Sequence, residues 1–240
     1  MSDPRADELA ANLARVRARI EEACAAAGRD PESVTLIVVS KTWPADDVRR
    51  LAALGARDFG ENRDQEAAPK AAATSDLDLR WHFVGQLQTN KAASVARYAD
   101  LVHSVDRESL VAALERGASK AGRVVGCLIE VDLTEGADGR GGAHPDDVAR
   151  IAGLVAGSDH LQLRGVMGVA PLAEVPGEQR AVSARAFERL ADISGRLREE
   201  YPDADLVSAG MSEDLEEAVH AGATHLRVGS AVLGTRPPLG

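Results

Sequence analysis

Val34-Thr35-Leu36-Ile37-Val38-Val39-Ser40-Lys41 is the stretch on which the fold turns. An apolar, β-branched run closed by Thr42-Trp43-Pro44 has the pattern of a strand covered on both faces, as in a parallel sheet. Lys41 stands at the carboxyl end of that strand. Two readings are open there. Either the side chain snorkels and its amine reaches solvent, or its stem lies in the apolar wall. In the second case desolvation favours the neutral, nucleophilic amine that forms Schiff bases.

Working outward, strand patterns occur at 34–40, 57–59, 80–84, 101–104, 124–133, 163–169, 205–208 and 225–228. Helical patterns separate them at 45–54, 65–73, 91–98, 107–118, 146–155, 180–200 and 213–221. This alternation predicts a parallel sheet, either closed as a (β/α)8 barrel or open and doubly wound. No G-x-G-x-x-G follows the first strand, which weakens the dinucleotide-binding form. Asp3-Pro4 is a good helix start. Leu9, Leu13, Val16 and Ile20 follow at helical spacing, and Gly28 ends the helix. After the last strand, Thr235-Arg236-Pro237-Pro238 is too short and Pro-rich for a full closing helix, so the N-terminal helix is expected to cover the outer wall there. The Pro-containing stretch 170–179 reads as a mobile rim loop above strand six.

Composition narrows the function. A net charge of −10 with no basic block argues against a broad nucleic-acid footprint, so any bound anion needs a local pocket. Aromatic residues make up only 3%, so the core must be aliphatic. Cys24 and Cys127 match no metal spacing and read as small buried hydrophobes. There is neither a leader pattern nor a long apolar run, and the expected location is the cytoplasm, with no membrane contact.

In such a barrel, chemistry sits at the carboxyl ends of the strands. Ser208-Ala209-Gly210-Met211-Ser212 and Arg227-Val228-Gly229-Ser230 end the last two strands. Their small residues allow backbone N–H groups to converge on an anion, and the corresponding loops of barrels often bind phosphate. Together with Lys41, the pair favours phosphate binding over two ordinary turns. Ser212 is a natural N-cap. Glu213 and Asp214, on the first helical turn, are expected to point outward. Arg227 is either a rim salt bridge or a permanent cation facing a ligand, where it would disfavour protonation of a ring nitrogen. Asn62 either bonds a ligand or caps a helix. His82 is more simply a satisfied core residue than a base. Gly85 allows close backbone approach. Glu130 and Asp132 share a strand face, both inward or one at the rim.

The blocks Val39-Ser40-Lys41-Thr42, Phe59-Gly60-Glu61-Asn62, Trp81-His82-Phe83-Val84-Gly85, Leu163-Arg164-Gly165-Val166-Met167, Ser208 to Ser212 and Arg227 to Ser230 run in order through nearly the whole chain. As a set they resemble the pyridoxal 5′-phosphate (PLP) homeostasis family, related to the barrel domain of alanine racemase. The resemblance implies a single (β/α)8 TIM-type barrel domain over 1–240, with the additional N-terminal helix at 1–28 and the barrel at 34–234. It implies that Lys41 forms the aldimine with PLP, and that Ser208, Gly229 and Ser230 help hold the phosphate. Arg227 would face the pyridine nitrogen, with Asn62 and Met211 in or near the pocket wall.

The resemblance further implies a monomeric carrier in intracellular vitamin B6 balance rather than a dedicated enzyme, with PLP-dependent apoenzymes as recipients. In the racemase a second acid–base group comes from an added β domain, for which this chain has no room. Family members often carry a lysine after strand five; here Gly139-Arg140-Gly141-Gly142 replaces that segment, which argues against a second covalent site because arginine forms no stable imine. Two alternatives remain. One is a monomeric amino-acid racemase with weak one-base activity, using Lys41 with water or His82. The other is a Schiff-base aldolase acting on a sugar phosphate.

Overall fold

The computed structural model describes residues 3–134 and 141–234, so Arg140 lies outside the described residues. Eight strands pair in parallel and in chain order: β1 (Thr35–Val39), β2 (Asp58–Glu61), β3 (Arg80–Phe83), β4 (Leu101–Val105), β5 (Val125–Val131), β6 (Leu161–Gly168), β7 (Leu206–Ser208) and β8 (His225–Val228). β8 returns to β1 with Thr35 opposite His225, Ile37 opposite Arg227 and Val38 opposite Val228. The sheet is therefore closed, and the open doubly wound alternative falls.

Nine helices accompany the strands among the described residues: α1 (Pro4–Ala26), α2 (Ala45–Ala53), α3 (Asp64–Ala73), α4 (Ala92–Val95), α5 (Glu108–Ala121), α6 (Val148–Ala156), α7 (Gln179–Glu200), α8 (Leu215–His220) and α9 (Ser230–Leu233). None of them is long and apolar enough to cross a membrane. The expected start of α1 is present, with Asp3 accepting from the N–H groups of Arg5 and Ala6 and Pro4 as the first helical residue.

α1 packs against α2, α8 and α9. Asn12 Nδ2 donates to Val232 O at 3.0 Å and Arg5 donates to Leu233 O at 3.0 Å. The amino-terminal helix thus covers the outer wall beside β8, as expected. The stretch before α7 is fastened at its stem, contrary to a freely mobile loop. Gln179 accepts from Ala173 N–H at 2.8 Å and donates to Pro171 O at 3.0 Å.

Two apolar layers follow from strand alternation. Val38, Phe59, Trp81, Phe83, Val102, Leu226 and Val228 join the main core between sheet and helices. Ile37, Leu128 and Met167 are buried apart from it, inside the barrel. That interior is less apolar than the Val/Ile/Leu layers usual in barrels. Asp58, His82, His103, Ser208 and Arg227 are all buried and bonded to one another within it.

Candidate functional site

Lys41 lies just beyond β1, and its side chain is exposed. Its amine makes no hydrogen bond or ion pair with the described residues. Of the two readings, the structure favours the exposed side chain: β1 ends at Val39, two residues before Lys41. The buried lysine is Lys70 on α3. Its amine donates to Ser40 O at 2.8 Å and forms a tight ion pair with Glu61 Oε1. Ser40 Oγ donates to the same carboxylate oxygen at 2.7 Å. Burial raises the Glu61 carboxyl above its ordinary range, and Lys70 and Ser40 offset only part of the rise.

This cluster clamps the residue immediately before Lys41. Beyond Lys41, Thr42 has φ +67°, a conformation that a β-branched residue rarely adopts. Its N–H donates to Glu66 Oε2 at 2.8 Å, which holds the strained turn. Lys41 thus carries an amine without a partner among the described residues, on a backbone fixed from both sides.

Arg227 comes from the middle of β8 and is buried at the barrel's centre. It donates to Ser208 Oγ at 2.7 Å and to Gly168 O at 2.9 Å. No carboxylate among the described residues lies within ion-pair distance of it, which excludes the rim salt bridge. Burial lowers its guanidinium to about 10, and the group stays charged at neutral pH. Ser208 also bonds His103 Nδ1 at 2.9 Å, so its hydroxyl is committed to these two partners.

The turns after β7 and β8 are tied together. Ser212 Oγ accepts from Ser230 Oγ at 3.1 Å and from Ala231 N–H at 3.3 Å. Ser212 therefore links the loops and does not cap α8. Asp214 is the α8 N-cap residue, and it turns inward where an outward carboxylate was expected. It accepts from Met211 N–H at 2.7 Å and from Ser183 Oγ at 3.2 Å. Gly210 has φ +84°, and a Cβ there would lie 2.5 Å from Ala218 Cβ. Gly229 packs against β1: a Cβ there would lie 3.2 Å from Val39 O. The β8 turn and the strand carrying Lys41 are thus in contact. Met211 is exposed on this rim.

Asn62 follows β2 and is half-buried. With Gln86, Gln88 and Lys91 it lines a rim groove of about 560 Å³. Gly85 does permit a close approach, and what approaches is Asn62 itself. A Cβ on Gly85 would lie 2.7 Å from Asn62 Cα.

Just beyond β5, Asp132 accepts from Thr134 N–H at 2.9 Å in a local turn. Glu130 is half-buried, and its Oε2 has no partner among the described residues. Burial, with Asp106 nearby, raises its carboxyl to about 7, and Arg227 opposes the rise. Between about pH 4.5 and 7 the folded carboxyl therefore holds a proton that the unfolded chain has lost. Stability falls as pH rises through that window, by roughly 3 kcal/mol in total. Glu130→Gln is expected to gain most of this above about pH 7 and nothing near pH 4, by urea unfolding of the cofactor-free protein. An equal difference at both pH values would refute the assignment.

His103 is a site residue that the sequence reading does not single out. The available signal was two histidines, His82 and His103, each set in apolar strand residues on consecutive strands. Lys70 gave no such signal, because a lysine in an Ala-rich helix reads as solvated.

The family model for the N-terminal domain of alanine racemase matches residues 6–237. The pyridoxal phosphate homeostasis protein of Pseudomonas aeruginosa is 41% identical, over 95% of this chain and 96% of that protein. That of Escherichia coli K12 is 35% identical, over 96% and 97%. Among solved structures, PipY of Synechococcus elongatus with PLP bound superposes with a TM-score of 0.80 at 36% identity, over 94% of this chain and 100% of that one. Alanine racemase of Streptomyces coelicolor superposes at 0.71 with 21% identity, over 97% of this chain and 59% of that one, and shares the fold. The chain belongs to the family of pyridoxal phosphate homeostasis proteins, built on the barrel of the alanine racemase N-terminal domain.

Proposed function

We propose that this protein binds PLP at the carboxyl-terminal mouth of its barrel, holds it covalently through Lys41, and serves as a carrier in PLP homeostasis. The observation that carries this reading is Arg227, a buried guanidinium bonded, among the described residues, only to a hydroxyl and a carbonyl. A buried cation without an ion pair is costly unless a ligand compensates it. The name and the bound PLP of the relatives support the same reading.

The donor set fits the cofactor's chemistry. PLP supplies an aldehyde, with which an amine condenses with loss of one water, and a phosphate dianion. Lys41 offers an unpaired amine on a fixed backbone. Gly229 and Ser230 offer the phosphate a tight turn, a hydroxyl and first-turn N–H groups without intrahelical acceptors. Ser208 contributes indirectly, by fixing Arg227. Asn62 and Met211 form the rim. A permanent cation opposite the ring nitrogen keeps that nitrogen unprotonated, which makes the ring a poor electron sink. The site is suited to keeping the cofactor more than to using it.

Incubation with PLP, borohydride reduction and peptide mass mapping test the proposal. A single adduct on Lys41, with a visible absorption band before reduction, is expected. A colourless protein without an adduct, or an adduct confined to another lysine, would overturn it.

A further inference from the structure

We infer that His82 and His103 are positioning residues for Arg227, acting through Ser208 along one hydrogen-bonded line that crosses the barrel. The inference rests on the reading that PLP occupies the mouth with its ring nitrogen toward Arg227. The line runs Arg227 to Ser208 Oγ (2.7 Å), Ser208 to His103 Nδ1 (2.9 Å), His103 Nε2 to His82 Nδ1 (3.0 Å) and His82 Nε2 to Asp58 Oδ1 (2.9 Å). Its members come from β8, β7, β4, β3 and β2. It starts beside the proposed cofactor site and ends at the opposite mouth, where Arg80 grips Asp58 with two bonds of 2.7 Å.

The two charged ends set the direction of every bond. Arg227 can only donate, so Ser208 Oγ accepts. Burial alone would raise Asp58, but bonds from His82 and Arg80 outweigh it and hold the carboxyl at about 2. Asp58 therefore only accepts, and His82 carries a hydrogen on Nε2. Burial, with His82, Arg227 and His225 nearby, keeps His103 neutral. A neutral His103 has one hydrogen to give.

Placed on Nε2, that hydrogen bonds His82 Nδ1, and the Ser208 hydroxyl bonds His103 Nδ1. All four bonds then point from Arg227 to Asp58, and every polar hydrogen on the histidines and Ser208 has an acceptor. The reverse arrangement needs an extra proton on His82 and leaves the Ser208 hydrogen without an acceptor among the described residues, which is costly in a buried site.

A hydroxyl is a free rotor unless its hydrogen is claimed. By claiming it, His103 turns the Ser208 lone pair toward Arg227 and fixes the guanidinium. The charged or titratable groups around the line are Arg80 at its foot, His225 and Arg164 beside it, and Glu130 and Asp214 near Arg227. His225 is the natural control. Its ring is 6.2 Å from that of His82, but its Nδ1 bonds Thr224, outside the line.

The test compares wild type, His103→Leu, His103→Gln and His225→Gln, each loaded with PLP. The readouts are the absorption spectrum from about pH 6 to 9 and the rate of PLP release. The wild-type spectrum is expected to stay constant. In His103→Leu the band should change with pH and release should quicken about tenfold, the scale of one hydrogen bond. Glutamine carries an acceptor and a donor in one planar amide and should restore slow release to within about threefold of wild type. His225→Gln should keep the wild-type spectrum even if it melts earlier. A wild-type spectrum and release rate in His103→Leu would overturn the inference. If that variant fails to fold, Ser208→Ala cuts the same line and carries the same expectations.

A readout without PLP separates this inference from the functional reading. In the cofactor-free protein, imidazole nitrogen-15 NMR should show both His82 and His103 neutral with hydrogen on Nε2. Any other tautomer overturns the line, whatever PLP does. A wild type that fails to retain PLP while showing these tautomers would sink the functional reading and confirm the line's polarity.

Discussion

Lys41→Ala is expected to yield a protein of unchanged stability that retains no borohydride-reducible PLP. The side chain is exposed and unbonded among the described residues, so its removal should shift stability by no more than about 0.5 kcal/mol. The backbone beneath it is held by Ser40, Glu61, Lys70 and Glu66, none of which the substitution touches. Residual binding would rest on noncovalent contacts near Arg227 and Ser230, and the cofactor should wash out on gel filtration. Absorbance and mass after reduction measure the result. An adduct persisting at wild-type level would move the covalent site elsewhere.

The second large effect is on stability. Lys70→Met leaves the Glu61 carboxylate buried and without its cation, which costs about 3–5 kcal/mol when one partner of a buried pair is removed. For a chain of this size that is a fall of about 6–20 °C in melting temperature. The loss should shrink at low pH, where Glu61 can take a proton, because burial already raises its carboxyl. The double variant Lys70→Met/Glu61→Leu should recover most of the loss, since an apolar pair leaves nothing buried and unpaired. Additive losses in the double variant, read by calorimetry, would show that the two side chains do not act as a pair. The same variant should slow attachment at Lys41, because Lys70 holds Ser40 O.

The eight strands were legible because each is a short apolar run, and a parallel strand covered on both faces leaves that trace at any position. The place of α1 beside β8 followed from the Pro-rich residues at 235–238, which do not read as a helix. The candidate site was legible where it depends on residue type along the chain: Lys41 at a strand end, and the small residues at 208–212 and 227–230. It was illegible where it depends on side chains meeting across the barrel. Asp214 turns inward because Met211 N–H and Ser183 need an acceptor, and local helix logic cannot show that need. Lys70 is buried because Glu61 lies on the neighbouring strand end, nine residues earlier. The bonds joining Arg227, Ser208, His103 and His82 require the barrel to be closed before any of their partners are near.

That closure has a kinetic consequence. Lys41 follows the first strand and Arg227 sits in the last, and α1 reaches Leu233 across a separation of 228 residues. Contacts of such long range are made late and slowly, because chain entropy must be lost before they contribute. A nascent or partly open chain therefore carries the Lys41 amine without Arg227 and the β8 turn beside it. A small molecule that needs both sides of the seam binds only the sealed state and, by mass action, pulls the equilibrium toward it. On the proposed reading, in which PLP bridges Lys41 and the β8 turn, occupancy would mark chains whose first and last strands have met.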